Sequence, residues 1–363
     1  MTRHTYLANG EVIRHAWPVN KQGRKSMSLK IVSRLPAAAA LVIATLIAHG
    51  GAVAQNLTMK IGTATINDTQ HEWMKRFQKR MHAKAGDRIK VGLYPSGQLG
   101  KIPRMIEGMQ LGTVEAFVTP SAFLVGVDKR NQVTWASGVF KDIDHCWRTV
   151  RDEGFRRFWF PLMDGKGITA ISIICSDSQA FLTKKRIRRL DDLKGLKIRV
   201  LATDLEIKPM QAVGIHPVPI PFTEVLPALQ RNVIDGMSSI PILFNNLKMF
   251  VTARHITRTG LFMASVPVYV SKIWWDKIPG DLRALMLAES REIEGELIAW
   301  NEAANARTIA SWKKNGGTVD RLPPEDQAKL LATVRPVVAK VLAGDPKVNE
   351  AFKKLTAFAK ANE

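Results

Sequence analysis

The chain has 363 residues, 46% of them apolar and 23% charged, which gives room for two domains and a sizeable core. Its formal charge of +21 points to nucleic acid, an anionic membrane surface or acidic small molecules as partners. No segment beyond residue 54 is apolar enough to span a bilayer, which excludes an integral membrane protein after that point.

Residues 27–55 read "MSLKIVSRLPAAAALVIATLIAHGGAVAQ". Lys30 and Arg34 precede an apolar run from Leu35 to Ala48, and Ala52-Val53-Ala54 supplies small residues for cleavage. This is the pattern of a secretory signal peptide, 27–54, with Gln55 as the mature start. Residues 1–26 lack any such pattern and read as an over-extended start, with Met27 as the initiator. Removing seven bases and one acid with residues 1–54 leaves a net charge of +15. The mature chain keeps two cysteines, Cys146 and Cys175, as one disulfide or as two buried thiols.

Residues 57–64 alternate as a strand. "HEWMKRFQKRMHAKAG" follows as a helix with Trp73, Phe77 and Met81 on one face, and "RIKVGLY" is the next strand. A helix through Arg104 to Leu111 leads to a third strand in "VEAFVTPS". "ITAISIICS" is a buried strand and "LKIRVLA" another, with Ile198, Val200 and Ala202 on one face and Arg199 on the other. "TDLEIKPMQAVG" is a helix closed by Gly214, "HPVPIP" is extended, and "TEVLPALQRN" is a helix with Thr223 as N-cap. "VIDGMSS" starts as a short strand, and "GLFMASVPVYVSK" is an apolar strand pair or crossover. From Pro279 the tail is helical, beginning with one helix of roughly 30 residues that ends at Gly316-Gly317. Strands alternating with helices give an α/β layered fold.

Catalytic patterns are missing: there is no His-Glu-x-x-His, Gly-x-Ser-x-Gly or P-loop. His71, His82, His145, His216 and His255 lack metal-ligand spacing, and Asp142 and Asp144 beside His145 make only a faint metal pattern. Asp191-Asp192 reads as a cap or a solvated loop. The run "KKRIRR" (184–189) has no aromatic interleaving or DNA-binding framework, so a solvated basic face is the better reading. We expect no enzyme, no cofactor, no metal and no nucleic acid.

"LDDLKGLKIRV" (190–200), followed by "GIHPVPIPFTEVLPALQRNVIDGMSS" (214–239), closely resembles the periplasmic solute-binding proteins of TRAP transporters, the DctP-like family. "YPSGQLG" (94–100), "MIEGMQLGTVEAFVT" (105–119) and "WWDKIPGDLRALM" (274–286) extend the resemblance over nearly all of 57–363. It implies a two-domain periplasmic binding protein fold with mixed sheets, hinge strands and a long domain-spanning helix. The expected domains are 55–176 with 265–304, and 177–264 with 305–363, closing on a ligand by hinge motion. It also implies a small organic carboxylate as ligand, the small and large TRAP permease proteins as membrane partners, and a monomer or homodimer in the periplasm.

In the family, the Arg of the Lys-x-Arg strand pairs with the ligand carboxylate, and here it is Arg199, whose planar fork suits that role. Phe222 matches the aromatic wall of the cleft, with core packing as its alternative. Gln179 stands where many relatives carry a second Arg. Ser239 stands where many have Asn, next to Met237. Thr119 and Ser121 follow the third strand, where relatives often place Glu or another polar group. Thr65 and Asn67, in "TATIND", are expected to cover the ligand. The lost cation and lost amide disfavour dianions and sugar acids, and Met237, Ile240 and Phe244 add apolar surface. The expected ligand is therefore a monocarboxylate with an apolar or aromatic body. A ligand-presenting partner of a sensor kinase and a basic nucleic-acid or surface-interaction protein are the alternative readings.

Overall fold

The computed structural model describes residues 57–363; the signal-peptide and start-site readings lie outside the described residues. Strand β1 (Leu57–Gly62) leads into helix α1 (Thr69–Ala85), whose first turn is capped by Asp68 accepting from the His71 N–H. Trp73, Phe77 and Met81 are fully buried on one face of α1, as their spacing requires. Strand β2 (Ile89–Tyr94), helix α2 (Ile102–Leu111) and strand β3 (Ala116–Val118) complete the first α/β unit. Two 3-10 segments, Ser121–Leu124 and Lys129–Trp135, then lead to helices α3 (Ile143–Arg151) and α4 (Glu153–Trp159).

Strand β4 (Ile168–Thr183) runs 16 residues, well past the segment its apolar run marks out. Strand β5 (Lys197–Val200), helix α5 (Asp204–Ala212) and strand β6 (His216–Pro219) follow. Helix α6 (Val225–Gln230) starts after a 3-10 turn at Phe222–Glu224, so Thr223 sits inside that turn and caps nothing. Strand β7 (Gly236–Ser239) and helix α7 (Pro241–Asn246) lead into β8 (His255–Ser271), one long strand rather than a strand pair. Helix α8 (Lys272–Trp275) precedes α9 (Gly280–Lys314), a single helix of 35 residues. The tail adds strand β9 (Thr318–Arg321), which the helical reading of that region missed, and helices α10 (Pro324–Ala343) and α11 (Pro346–Ala361).

The strands form one mixed nine-stranded sheet ordered β2-β1-β3-β8-β4-β7-β5-β6, with β9 on β8. The antiparallel pair β4–β8 is its spine, and its register shifts around Cys175, Ser178 and Ala180. Bulges bend a strand and re-aim its side chains. The two expected domain boundaries in β4 and β8, 176/177 and 264/265, fall at this bent stretch. A polar hub surrounds it: Asn301 of α9 donates to the Cys175 carbonyl at 2.6 Å, and Thr69 bonds both Ser176 and Asn301. Cys146 of α3 and Cys175 are joined as a disulfide, Cα–Cα 6.1 Å, which settles the alternative left by the sequence. Helix α10 packs on α5, whereas α11 packs against α3 and the Lys129–Trp135 segment.

Among the described residues, no group of three or more His, Cys, Asp or Glu could hold a metal, and no helix is long and apolar enough to cross a membrane. The basic run 184–189 is partly consumed by structure: Ile187 is buried, Arg186 pairs with Asp320 at 2.7 Å, and Lys184 bonds the Leu229 carbonyl.

Candidate functional site

Strand β5 is flanked by β6 and β7, with Arg199 opposite Val218 and Met237. Pro217 and Pro219 have no N–H to offer a further strand, so β6 ends the sheet, while the His216 N–H still donates to the Leu196 carbonyl. The prolines carry the chain stiffly past Arg199 to Ile220, whose carbonyl accepts from Arg199 Nε at 3.1 Å. Arg199 is 2% exposed, and its guanidinium carbon lies 5.9 Å from the Phe222 ring centroid. It forms no ion pair among the described residues; burial lowers its pKa and the charge of Glu206 partly offsets this.

Two connected spaces open at this guanidinium. The inner one, about 50 Å³, is bounded by Thr65, Gln70, Thr119, Trp135, Gln179, Arg199, Ser238 and Ser239 among others. The outer one, about 530 Å³, is walled by Ile102, Pro103, Ile106, Phe123, Val127 and the Pro219–Phe222 segment. Ala64, Ile102, Phe123, Arg199 and Phe222 belong to both. Arg199 thus stands where a small chamber that carries most of the polar side chains meets a larger and more apolar one.

Six of the sequence-derived residues meet there: Arg199, Gln179, Phe222, Ser239, Thr65 and Thr119. Three do not. Met237 is fully buried in the core cluster with Leu229, Ile234 and Phe244, on the face of β7 opposite Ser238, while Ser239 reaches the chamber from the last position of the strand. Phe244 belongs to that core as well. Ser121 is fully buried and bonds Thr134 Oγ1 at 2.7 Å. Asn67 is exposed with φ 57°, and its carbonyl accepts from Asn246 Nδ2 of α7 at 2.7 Å. It ties the loop over α1 to the far wall instead of lining the space. Lys101 and Glu224 make a second cross-wall contact at 3.8 Å.

The polar groups of the chamber are oriented by one another. Ser238 Oγ donates to Gln179 Oε1 at 2.6 Å, while Gln179 Nε2 has no protein acceptor among the described residues. Thr65 Oγ1 donates to Asp68 Oδ2 at 2.6 Å and Gln70 Nε2 to the same oxygen at 3.2 Å. Burial raises the Asp68 pKa, and its hydrogen bonds from Thr65 and the His71 N–H oppose the rise.

Sequence reasoning missed Trp135, Ser238, Gln70, Phe123 and, behind the wall, Glu206. Trp135 Nε1 and the Leu201 N–H both donate to Glu206 Oε2, at 3.2 and 3.1 Å. The only hint for Glu206 is its place in the first turn of the helix that follows β5, which many surface acids share. The site holds donors and one permanent cation, with no nucleophile–base pair aimed into it. That is equipment for holding an anion.

Comparison with known proteins agrees with this geometry. The model of bacterial extracellular solute-binding protein family 7, DctP, matches residues 62–345. A solute-binding protein of Verminephrobacter eiseniae is 26% identical over 79% of this chain and 85% of its own length. The C4-dicarboxylate-binding periplasmic protein DctP of Rhodobacter capsulatus is 25% identical over 86% of this chain and 93% of its own. Among solved structures, a TRAP periplasmic solute-binding protein of Desulfovibrio salexigens with bound orotic acid superposes with TM-score 0.80, at 22% identity, covering 84% of this chain and 99% of that one. One from Haemophilus influenzae with bound L-gulonate gives 0.78 at 19% identity, over 83% and 99%. This chain is a member of bacterial extracellular solute-binding protein family 7, the DctP family, and its fold is the two-domain periplasmic binding protein fold of TRAP systems.

Proposed function

We propose that the protein captures a small organic monocarboxylate with an apolar body in the periplasm and delivers it to the two membrane subunits of a TRAP permease. As a family member it is a solute-binding protein and not an enzyme. The observation that carries the ligand class is Arg199: a buried guanidinium with one backbone hydrogen bond and no protein counter-ion in contact among the described residues, between a small chamber bearing polar side chains and a larger apolar one.

The carboxylate takes the free edge of the Arg199 fork, where low local dielectric strengthens the pair and bidentate geometry offsets desolvation. Gln179 Nε2 and the hydroxyls of Ser239 and Thr119 supply further hydrogen bonds. The body of the ligand lies against Phe222 and Phe123 and extends toward Ile106 and Val127. A second carboxylate would meet no second cation in the inner chamber, where Arg199 is the only base among the described residues. The relatives that bind C4-dicarboxylate or a sugar acid set the class of small acids, and the apolar outer space narrows it here.

The moving parts are two lobes hinged at the bulged stretch of β4 and β8, residues 57–176 with 265–304 against 177–264 with 305–343; we assign helix α11, expected in the second lobe, to the first because it packs against α3 and the Lys129–Trp135 segment. Ligand bridging Arg199 on one lobe and Thr65, Thr119 and Phe123 on the other shifts the population toward the closed form. The signal peptide over 27–54 exports the chain. A thermal-shift screen of aliphatic and aromatic monocarboxylates, dicarboxylates and sugar acids tests the ligand class, since tight ligands raise Tm by mass action. Monocarboxylates with apolar bodies give the largest shifts on this reading, and a dicarboxylate or sugar acid giving them would overturn it. Adjacent genes for two membrane subunits are expected; a neighbouring sensor kinase in their place would count against delivery to a permease.

A further inference from the structure

Glu206 is fully buried in the first turn of α5 and takes no part in the site as described so far. Its Oε2 accepts from the Trp135 indole and the Leu201 N–H, while Oε1 is buried without a partner. Trp135, Arg199 and Ser238, all lining the inner chamber, are the groups that act on its carboxyl. Other charges around it are spent or turned outward. On its own helix, Asp204 and Lys208 pair at the surface. On the Lys129–Trp135 segment, Lys129 is exposed and Arg130 is held by Asp128. On α10, Lys329, Arg335 and Lys340 are exposed, and β7 offers only Ser238. Arg199 is therefore the one charge that Glu206 feels strongly.

Ser238 adds a constraint. Its hydroxyl has one proton, and at 2.6 Å that proton goes to Gln179 Oε1. With the proton so placed, Ser238 has none to give to Glu206, whose Oε1 is left buried without a partner, an arrangement that suits a neutral carboxyl better than a carboxylate. An ionised Glu206 draws the Ser238 proton to itself and leaves Gln179 Oε1 without its donor.

We propose that Glu206 sets the charge of the site: it serves as the internal counter-ion of Arg199, and it takes up a proton from solvent as a ligand carboxylate reaches the guanidinium, so that the chamber accepts one negative charge. The proposal rests on the carboxylate reading given above. Two carboxylates sharing one buried guanidinium repel, and the one able to take a proton does so. With Glu206 neutral, Ser238 keeps donating to Gln179 Oε1, and Gln179 Nε2 stays free for the ligand. Burial pushes the Glu206 carboxyl up to about 7, held from rising further by Arg199 and its hydrogen bonds. An anion at Arg199 cancels that pull, so proton uptake accompanies binding around neutral pH. Affinity then falls about tenfold between pH 6 and pH 8.

The test uses the full mature protein, wild type and Glu206→Gln, with benzoate as probe. Gln keeps an acceptor for Trp135 and Leu201 and carries no charge, so it stands in for the protonated acid. Calorimetry in buffers of different ionisation enthalpy should show proton uptake and a roughly tenfold loss of benzoate affinity from pH 6 to 8 in wild type. Glu206→Gln should bind as wild type does at pH 6, flat with pH and without proton uptake. Independently of ligand, the Trp135 indole N–H resonance should titrate near neutral pH in wild type and stay still in Glu206→Gln. Binding that is flat with pH and buffer overturns the role of Glu206 while leaving the carboxylate reading in place. A Trp135 resonance that does not titrate, or titrates equally in the variant, overturns it whatever binds. Failure of benzoate to bind at any pH counts against the carboxylate reading and carries this proposal down with it.

Discussion

Arg199 is kept in the fold by groups that tolerate its charge without satisfying it: one carbonyl, one ring and a carboxyl at a distance. Glu206 is the converse, a carboxyl whose pKa is raised above the ordinary 4.5 to about 7, chiefly by burial. For such a group, the stability contribution is full below the unfolded pKa and is lost as pH rises through the folded one. The shift corresponds to about 3 kcal/mol between pH 4.5 and 8. Glu206→Gln should therefore match wild type in urea at pH 4.5 and exceed it by roughly that amount at pH 8. Equal stability at both pH values would contradict the burial of a titrating carboxyl there. Phe222→Ala should weaken carboxylate binding by about 1–2 kcal/mol with little change in Tm, since the ring is half-buried against the chamber. Loss of stability in its place would make Phe222 a core residue. Arg199, Gln179 and Phe222 were legible because each sits in a family pattern at a fixed offset. Glu206 and Trp135 were not, because each gains its meaning from a partner 71 positions away. Met237 was misassigned for a simpler reason: its strand neighbour Ser238 faces the chamber and Met237 faces the core, while Ser239 reaches the chamber only because it ends the strand.

At the scale of elements, the Asp-Gly that opens β7 turns out to be architectural. The Asp235 carboxylate accepts from the Lys197 N–H at 2.9 Å and its own N–H donates to the Lys197 carbonyl at 2.8 Å, which fastens the start of β5. A Cβ on Gly236 would lie 2.2 Å from the Leu182 carbonyl oxygen of β4. Gly236→Ala should thus force β4 and β7 apart and cost about 2 kcal/mol or more in chemical denaturation; a neutral substitution would mean that the strands are not so closely paired. The disulfide closes a loop of 29 residues between α3 and the bent part of β4. Replacing both cysteines with Ala should cost about 3 kcal/mol by loop entropy, seen as a lower urea midpoint with a slope that does not fall, since the uncrosslinked denatured chain is more expanded. The long α9 and the regular α/β alternation were readable from periodicity. The full length of β4 and β8 was not, because bulges interrupt their alternation, and β9 was too short to stand out beside the helices around it.

Across the whole molecule, two populations of carboxyl groups pull stability in opposite directions with pH. Glu289 and Glu296 of α9 are held below the usual range by Arg80, Lys84 and Arg76 of α1, and Asp320 by Arg186, against an opposing push from burial. Their contribution is present above the unfolded carboxylate pKa and is lost as pH falls through the lowered values. Burial raises Asp68, Asp177 and Glu206, whose contributions are lost as pH rises. The ligand-free protein should therefore have its highest Tm in mildly acid solution, at about pH 5 to 6. A calorimetric Tm that climbs steadily to pH 8 would refute that balance. The large positive charge did not single out a function from composition, because among the described residues the only base that lines the inner chamber is one buried Arg.

That base can be removed cleanly, since Glu206 is able to take a proton when its counter-ion is lost and need not remain as an unpaired buried charge. Calorimetric titration of wild-type protein and Arg199→Ala at pH 6, with the carboxylate that raises Tm most, is thus the most direct measurement. Loss of about 100-fold or more in affinity with Tm little changed is the expected result, and wild-type-like affinity in Arg199→Ala would contradict carboxylate capture at this site.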